Sequence, residues 1–241
     1  MTNTTRPNRY DYLKLLALLT MIVDHVGYFL FPEVIWLRVI GRIAFPLFLL
    51  LVGFNGSYKR RWSLWSMAIV LQIIITRSRY AGFTEDPLGN ILLGIALTRV
   101  ILGRVTTQSR RLQISIFVAS ILLAPSTMAY IDYGTLSLSA AMVGARMHTR
   151  HRKNRPFIVR GMVICVHLFY MIWLRDFPPS TRGALGGVAL LLLACGRRLH
   201  AGNLHITGTP YQNKAIIRIA NNALRIYLIH GALLAGLSRL L

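Results

Sequence analysis

Apolar runs close to twenty residues long alternate with short polar, mostly basic segments from one end of the chain to the other. A run of that length crosses the hydrocarbon core of a bilayer as a single α-helix, whereas soluble cores are built from shorter or strictly periodic stretches. The pattern predicts nine spans, at about 11–31, 35–55, 63–79, 88–103, 112–125, 133–147, 156–174, 183–197 and 216–237. The eighth is short, and the fifth and sixth flank a break at Pro125-Ser126, so the division admits eight to ten. The fold class this implies is all-α: a polytopic integral membrane bundle forming one domain over residues 1–241. There is no internal repeat and no low-complexity tract. The longest connector, about 198–214, carries the turn-rich GNLHITGTPYQN.

Composition sharpens this picture in one respect. With 54% hydrophobic and only 15% charged residues, no sizeable soluble domain fits, yet the net charge is +21. Nucleic acid is excluded as a partner because no basic helix, aromatic platform or soluble binding module accompanies the charge. Its distribution follows the positive-inside rule instead. With the N-terminus in the cytoplasm, Arg6, Arg9, Lys59-Arg60-Arg61, Arg104, Arg110, Arg111, the cluster Arg146 to Arg155, Arg197, Arg198 and Lys214 all fall inside. The outward loops keep Arg77, Arg79, Arg175 and Arg182, together with the acids Glu33, Glu85, Asp86, Asp132 and Asp176. Anionic lipid is the natural partner of such basic loops. Cys165 and Cys195 lie in apolar runs without a CxxC partner, which argues against a disulfide framework or a cysteine metal site. The first apolar run is too long for a signal h-region and is expected to remain as a membrane helix.

Against that background, ionisable residues inside spans mark candidate chemistry, because each is costly in hydrocarbon. Asp24-His25 interrupts YLKLLALLTMIVDHVGYFLF, and His230 interrupts the last span. Helix rise places His25 about 16 Å beyond Lys14, and His230 about 21 Å into a span running the same way. The two histidines therefore reach a similar depth, and they meet if the first and last helices pack together. Asp24 is a candidate to orient or charge His25, although adjacent helical residues point about 100° apart, and a partner on another helix fits equally well. Histidine is suited to taking a proton from an amine or hydroxyl near neutral pH. Acyl transfer also needs cations or hydrogen-bond donors for a thioester oxygen and for donor phosphates. Lys14, Arg38, Arg42, Arg99, Arg160, Arg218 and Arg225 supply cations within the spans. Arg38 and Arg42 share one helical face, and Pro46 is expected to kink that helix and free carbonyls there. His167 reads as a structural histidine bonded across helices, and the outward arginines as snorkelling side chains. His148 and His151 have ligand spacing, but the surrounding positive charge argues against a metal.

The run LKLLALLTMIVDHVG followed by LRVIGRIAFPLFLLLVGF, with Tyr227-Leu228-Ile229-His230 near the end, resembles the TraX family of conjugative-plasmid membrane proteins. That family includes TrbP-type proteins and is similar to the acyltransferase-3 superfamily. The resemblance implies a bacterial inner-membrane, multi-pass enzyme that moves an acetyl group from cytoplasmic acetyl-CoA to the N-terminal amine of a pilin subunit. Other pilus assembly proteins are further implied partners. Acyltransferase-3 proteins carry an arginine, ten residues and a catalytic histidine in the first span; Lys14 and His25 occupy those positions, so the charge is kept and the guanidinium fork is lost. By this resemblance His25, Asp24 and His230 are catalytic, Lys14, Arg38, Arg42 and Arg225 bind the donor or the oxyanion, and no metal is required. The alternatives are a non-catalytic pilin assembly factor and an O-acetyltransferase of an envelope glycan or lipid. A transporter is disfavoured by the lack of repeated halves.

Overall fold

A computed structural model describes residues 7–56, 62–80, 91–128, 130–131, 133–148, 155–200 and 210–237. Several sequence-highlighted positions lie outside these: Arg6, Lys59 to Arg61, Glu85, Asp86, Asp132, Arg150 to Lys153 with His151, and most of the 198–214 connector. The described residues form α-helices and no strand.

Helix α1 (Arg9–Phe29) begins at a capping box, in which Asn8 Oδ1 accepts from the Asp11 N–H at 3.3 Å and Asp11 Oδ2 accepts from the Asn8 N–H at 2.9 Å. Two of the helix's otherwise unpaired N-terminal donors are satisfied this way, which fixes where α1 starts. A short turn leads to α2 (Ile35–Gly41) and α3 (Ala44–Phe54). The interruption at Arg42-Ile43 is the expected effect of Pro46. Its ring crowds the carbonyl four residues back, and the backbone tightens there, with the Arg42 N–H on Val39 O and the Ile43 N–H on Ile40 O.

Helices α4 (Trp62–Tyr80), α5 (Ile91–Val105), α6 (Arg110–Leu122), the short α7 (Ala124–Thr127) and α8 (Leu136–His148) follow. Pro125 sits in the first turn of α7, so the sequence break there is a restart of the helix. Helix α9 (Arg155–Asp176) leads through a 3-10 turn, Pro179–Thr181, into α10 (Arg182–His200), and α11 (Pro210–Asn221) and α12 (Ala223–Leu237) complete the described chain.

Helices thus occupy every segment expected to span the membrane. Four stretches are long and apolar enough to do so by length and composition: Tyr10–Phe29, Ile35–Phe54, Pro156–Asp176 and Pro179–Arg197. The segment 216–237 departs from the expectation of one continuous span. It breaks at Asn222, whose side-chain amide donates to Arg218 O at 2.9 Å while its own N–H bonds both Arg218 O and Ile219 O. An asparagine side chain competing for the helix's own carbonyls ends α11, and α12 begins on the next residue.

Two compact units emerge, residues 1–51 with 162–241, and residues 52–161. In the first, α1 packs most extensively on α2, then on α12 and α11. Leu18, Met21, Ala44 and Ala223 form a buried seam flanked by Ile22, Phe48, Ile226 and Tyr227. In the second, α8 is the core helix: Leu136 to Ala145 is buried without interruption. It packs on α5 and α6 and is tied to α6 by Ser120 Oγ to Ser139 Oγ at 2.6 Å and by Arg146 donating to Gln113. His148, the described member of the two-histidine cluster, is an exposed ring edge-on to Phe54.

Candidate functional site

Adjacent helical residues diverge by about 100°, so Asp24 and His25 are committed to different neighbours. His25 faces α12 and Asp24 faces α2. Close approach of α1 and α2 depends on two glycines. A Cβ on Gly27 would lie 2.7 Å from Leu37 Cβ, and a Cβ on Gly41 would overlap the Asp24 side chain.

His25 Nδ1 and His230 Nε2 are 2.8 Å apart, with the rings stacked at 4.8 Å between centroids and 19° between planes. The sequence-based expectation that the first and last helices bring these histidines together therefore holds. The helices run parallel here, since Ala223 meets Leu18 and Met21 while His230 meets His25. The proton positions follow from one further bond. His230 Nδ1 lies 2.8 Å from Ile226 O, which can only accept. In the neutral ring, Nδ1 therefore carries the proton and Nε2 the lone pair. His25 Nδ1–H must then donate to His230 Nε2, which leaves the lone pair of His25 on Nε2. His230 selects the tautomer of His25, the role a third group plays for a general base. Phe29 stands edge-on to His25 at 6.0 Å, and Tyr227 lies 5.5 Å from His25 and 5.8 Å from His230.

Asp24, the candidate to orient or charge His25, turns its carboxylate toward α2. Its Oδ1 accepts from Arg38 Nε and from Arg42 Nη2, both at 3.3 Å. Arg42 Nε also donates to Arg38 O at 3.4 Å, a carbonyl near the proline break. Each guanidinium is stacked on an aromatic ring, Arg38 on Tyr28 at 4.9 Å and Arg42 on Phe177 at 5.0 Å. Both arginines line a cleft of about 310 Å³ completed by Pro32, Ile35, Asp176 and Phe177.

The remaining sequence-derived residues lie elsewhere. Lys14 is about 16 Å along α1 from His25, with its ammonium 5.3 Å from the Tyr10 ring. Arg225 is exposed near the start of α12 and donates to Asn222 Oδ1 at 3.4 Å. His167 is an exposed residue of α9. Among the described residues no group of three or more His, Cys, Asp or Glu side chains is placed to hold a metal.

Sequence reasoning missed Tyr28, Phe29 and Phe177, took Tyr227 only as part of the terminal motif, and missed the packing roles of Gly27 and Gly41. Tyr227 was accessible, because it precedes His230 by three positions and so shares its helical face. Phe177 reaches Arg42 from a distant helix end, and no local pattern announces that contact.

The arrangement supplies a histidine lone pair of fixed tautomer, with two guanidiniums held one helical position away. Comparison with known proteins gives this site a family. The chain is 32% identical over 139 residues to an uncharacterized protein of Rickettsia prowazekii (strain Madrid E), a match covering 58% of this chain and 56% of that protein. It is 28% identical over 204 residues to Protein TraX of Escherichia coli (strain K12), covering 82% of this chain and 78% of that one. Another Escherichia coli Protein TraX is 24% identical over 196 residues, covering 79% and 75%. No solved structure matches the chain. The model of the TraX protein family matches residues 9–238, which take in every element of the site, and the chain belongs to the TraX family.

Proposed function

We propose that this protein is a membrane-embedded acetyltransferase of conjugative pilus biogenesis, carrying acetyl from cytoplasmic acetyl-CoA to the N-terminal amine of a pilin subunit. In this reading it sits in the bacterial inner membrane, crosses it about nine times and keeps its N-terminus inside. The observation that carries the reading is the His25–His230 bond, which leaves a base lone pair on His25 Nε2 within an apolar helix pair. The likeness of the Lys14-to-His25 spacing to acyltransferase-3 proteins supports it.

The chemistry is a direct transfer. The neutral amine nitrogen attacks the thioester carbonyl as His25 Nε2 takes one of its protons. The tetrahedral intermediate then collapses with rupture of the C–S bond, and the proton passes from His25 to the departing thiolate. While His25 is protonated, its Nδ1–H still donates to His230 Nε2, so the imidazolium is stabilised without rearrangement. Arg38 and Arg42 add the positive field that a developing oxyanion or an anionic substrate requires. Lys14 and Arg225 precede the histidines on their parallel helices, at the end assigned to the cytoplasm, where the polyanionic donor enters.

Intact-mass spectrometry of mature pilin tests this. Cells carrying His25→Ala are expected to lose acetylation by at least about 10²-fold, the usual contribution of a positioned base. Unchanged acetylation would remove His25 from the mechanism. Acetyl found on an envelope glycan or lipid, and not on pilin, would reassign the acceptor while keeping the histidine pair.

A further inference from the structure

The last two helices carry an exposed cationic stripe in a part of the chain that has no acid, since no Asp or Glu follows Asp176. Lys214, Arg218, Asn221 and Arg225 are spaced four, three and four apart and are all exposed. That spacing sets them on one narrow face of a helix. The face runs on through the break at Asn222, because the Asn222 N–H still reaches Arg218 O and the Ile226 N–H reaches Asn222 O. Among the described residues none of the three cations forms an ion pair, and Arg225 donates to the neutral Asn222 amide. Ala223 and His230 mark the side turned to α1, and Arg225 lies on the opposite side. Depth makes this stripe costly. Ala223 packs at the level of Leu18 and Met21, about 12 and 16 Å into the apolar stretch Tyr10–Phe29. Arg225 therefore stands about halfway across a hydrocarbon core of about 30 Å, and Arg218 about 10 Å nearer the Lys14 end. Cations at such depth persist where they meet water or an anion. A second copy presenting the same face would set cations against cations. Beyond Arg225 the exposed residues turn apolar, with Ile229 and Leu233. A cationic foot below an apolar track is the shape of a phospholipid in negative.

We infer that this face of α11 and α12 is a docking surface for an anionic phospholipid of the leaflet at the Lys14 end. Its phosphate sits on Arg218 and Arg225, its headgroup reaches Lys214, and its acyl chains run along Ile229 and Leu233. Guanidinium forks match phosphate oxygens, and the anionic headgroup adds the charge that the stripe lacks. Arg225 leans back toward Asn222, the direction from which a headgroup of that leaflet approaches. Diffuse attraction of basic loops to a charged surface predicts no such register, with two arginines seven residues apart inside the core. The surface is turned away from His25, so its role is separate from the transfer chemistry.

The test uses full-length protein in liposomes, carrying Ile229→Cys with a fluorescent dye on that cysteine; the native Cys165 and Cys195 are buried. Phosphatidylglycerol or phosphatidylcholine with brominated acyl chains is added at equal mole fraction, and each quenches the dye on contact. Brominated phosphatidylglycerol is expected to associate at least about fivefold more strongly than brominated phosphatidylcholine, the factor that one basic residue near an anionic surface supplies. Arg218→Gln/Arg225→Gln should bring the two lipids to within about twofold of each other. Where that variant fails to fold, the Ile229→Cys parent in 1 M salt serves instead. A Debye length of about 3 Å should collapse the preference in the same way. Equal quenching by both lipids in the parent overturns the proposal. So does a preference that survives the double substitution, or that survives salt where the double variant does not fold. Quenching by neither lipid, the result if a protein covers this face, overturns it as well. Pilin acetylation does not enter the measurement, so failure of the acetyl-transfer reading would leave this result untouched.

Discussion

Asp24 and His25 are neighbours on the chain and take different hydrogen-bond partners in the structure. Their cost in hydrocarbon was visible in the sequence, since two adjacent ionisable groups in an apolar run require partners. Which partners they take was not, because a helix turns about 100° per residue and the sequence does not say what lies on either side. The structure gives His25 to His230 and Asp24 to the two arginines. A positioning role for His230 makes a graded prediction. His230→Ala removes the acceptor for His25 Nδ1–H, frees the wrong tautomer and should lower kcat by about 10²-fold with little change in KM. His230→Gln restores an acceptor oxygen and an N–H donor on one side chain and should recover part of that loss. Steady-state kinetics of the two variants checks this. Equal loss in both would mean that His230 contacts the reacting atoms itself.

At the scale of elements, the breaks differ in how well the sequence announces them. The α2–α3 interruption is written in Pro46, whose effect acts on a carbonyl a fixed four residues back. The α11–α12 interruption depends on how the Asn222 side chain competes with backbone donors, and the apolar residues around it mask that competition. Close helix approach is similarly hidden. Gly53 looks like one glycine among many, yet a Cβ there would strike the backbone carbonyl of Ala141 on α8, which cannot give way as a side-chain end can. Gly53→Ala should therefore lower stability by about 1–3 kcal/mol, as overpacking does. The buried Ser120–Ser139 bond offers a contrast, since interhelical hydrogen bonds in membrane proteins average only about 0.6 kcal/mol. Thermal unfolding in detergent should place Gly53→Ala well below Ser139→Ala. The reverse order would show that polar bonding, and not close packing, holds α8.

For the whole molecule, charge alternation predicts about nine crossings, while length and composition alone mark four helical stretches as long enough. The two counts part at the segment between the third and fourth expected spans, at the turn carrying Tyr130 and at the C-terminal end, and of these Tyr130 is described. With four crossings, residues from about 56 to 155 stay on one side; with nine, the turn after α7 reaches the other. The nine-crossing expectation makes α6 and α8 a hairpin across the bilayer. Their pairing puts Arg110, Arg111 and Gln113 of α6 beside Arg146 and His148 of α8, so the cations collect at one end of the hairpin and exposed Tyr130 lies at the other. Counted from Arg110 to Thr127, α6 and α7 rise about 27 Å, close to a hydrocarbon core of about 30 Å, which α6 alone at about 20 Å does not reach. Single cysteines at Glu33, Gln108, Tyr130 and Lys214, all exposed, test this with a membrane-impermeant thiol reagent. The native Cys165 and Cys195 are buried and contribute little background. Glu33→Cys and Tyr130→Cys should label in intact cells, and Gln108→Cys and Lys214→Cys only after the membrane is opened. Labelling of Tyr130→Cys only in opened cells would leave the α6–α8 hairpin on the inner side and reduce the crossings. Inversion of the whole pattern would place the Lys14 end outside, where no acetyl-CoA is available, and the acetyl-transfer reading would fall with the orientation.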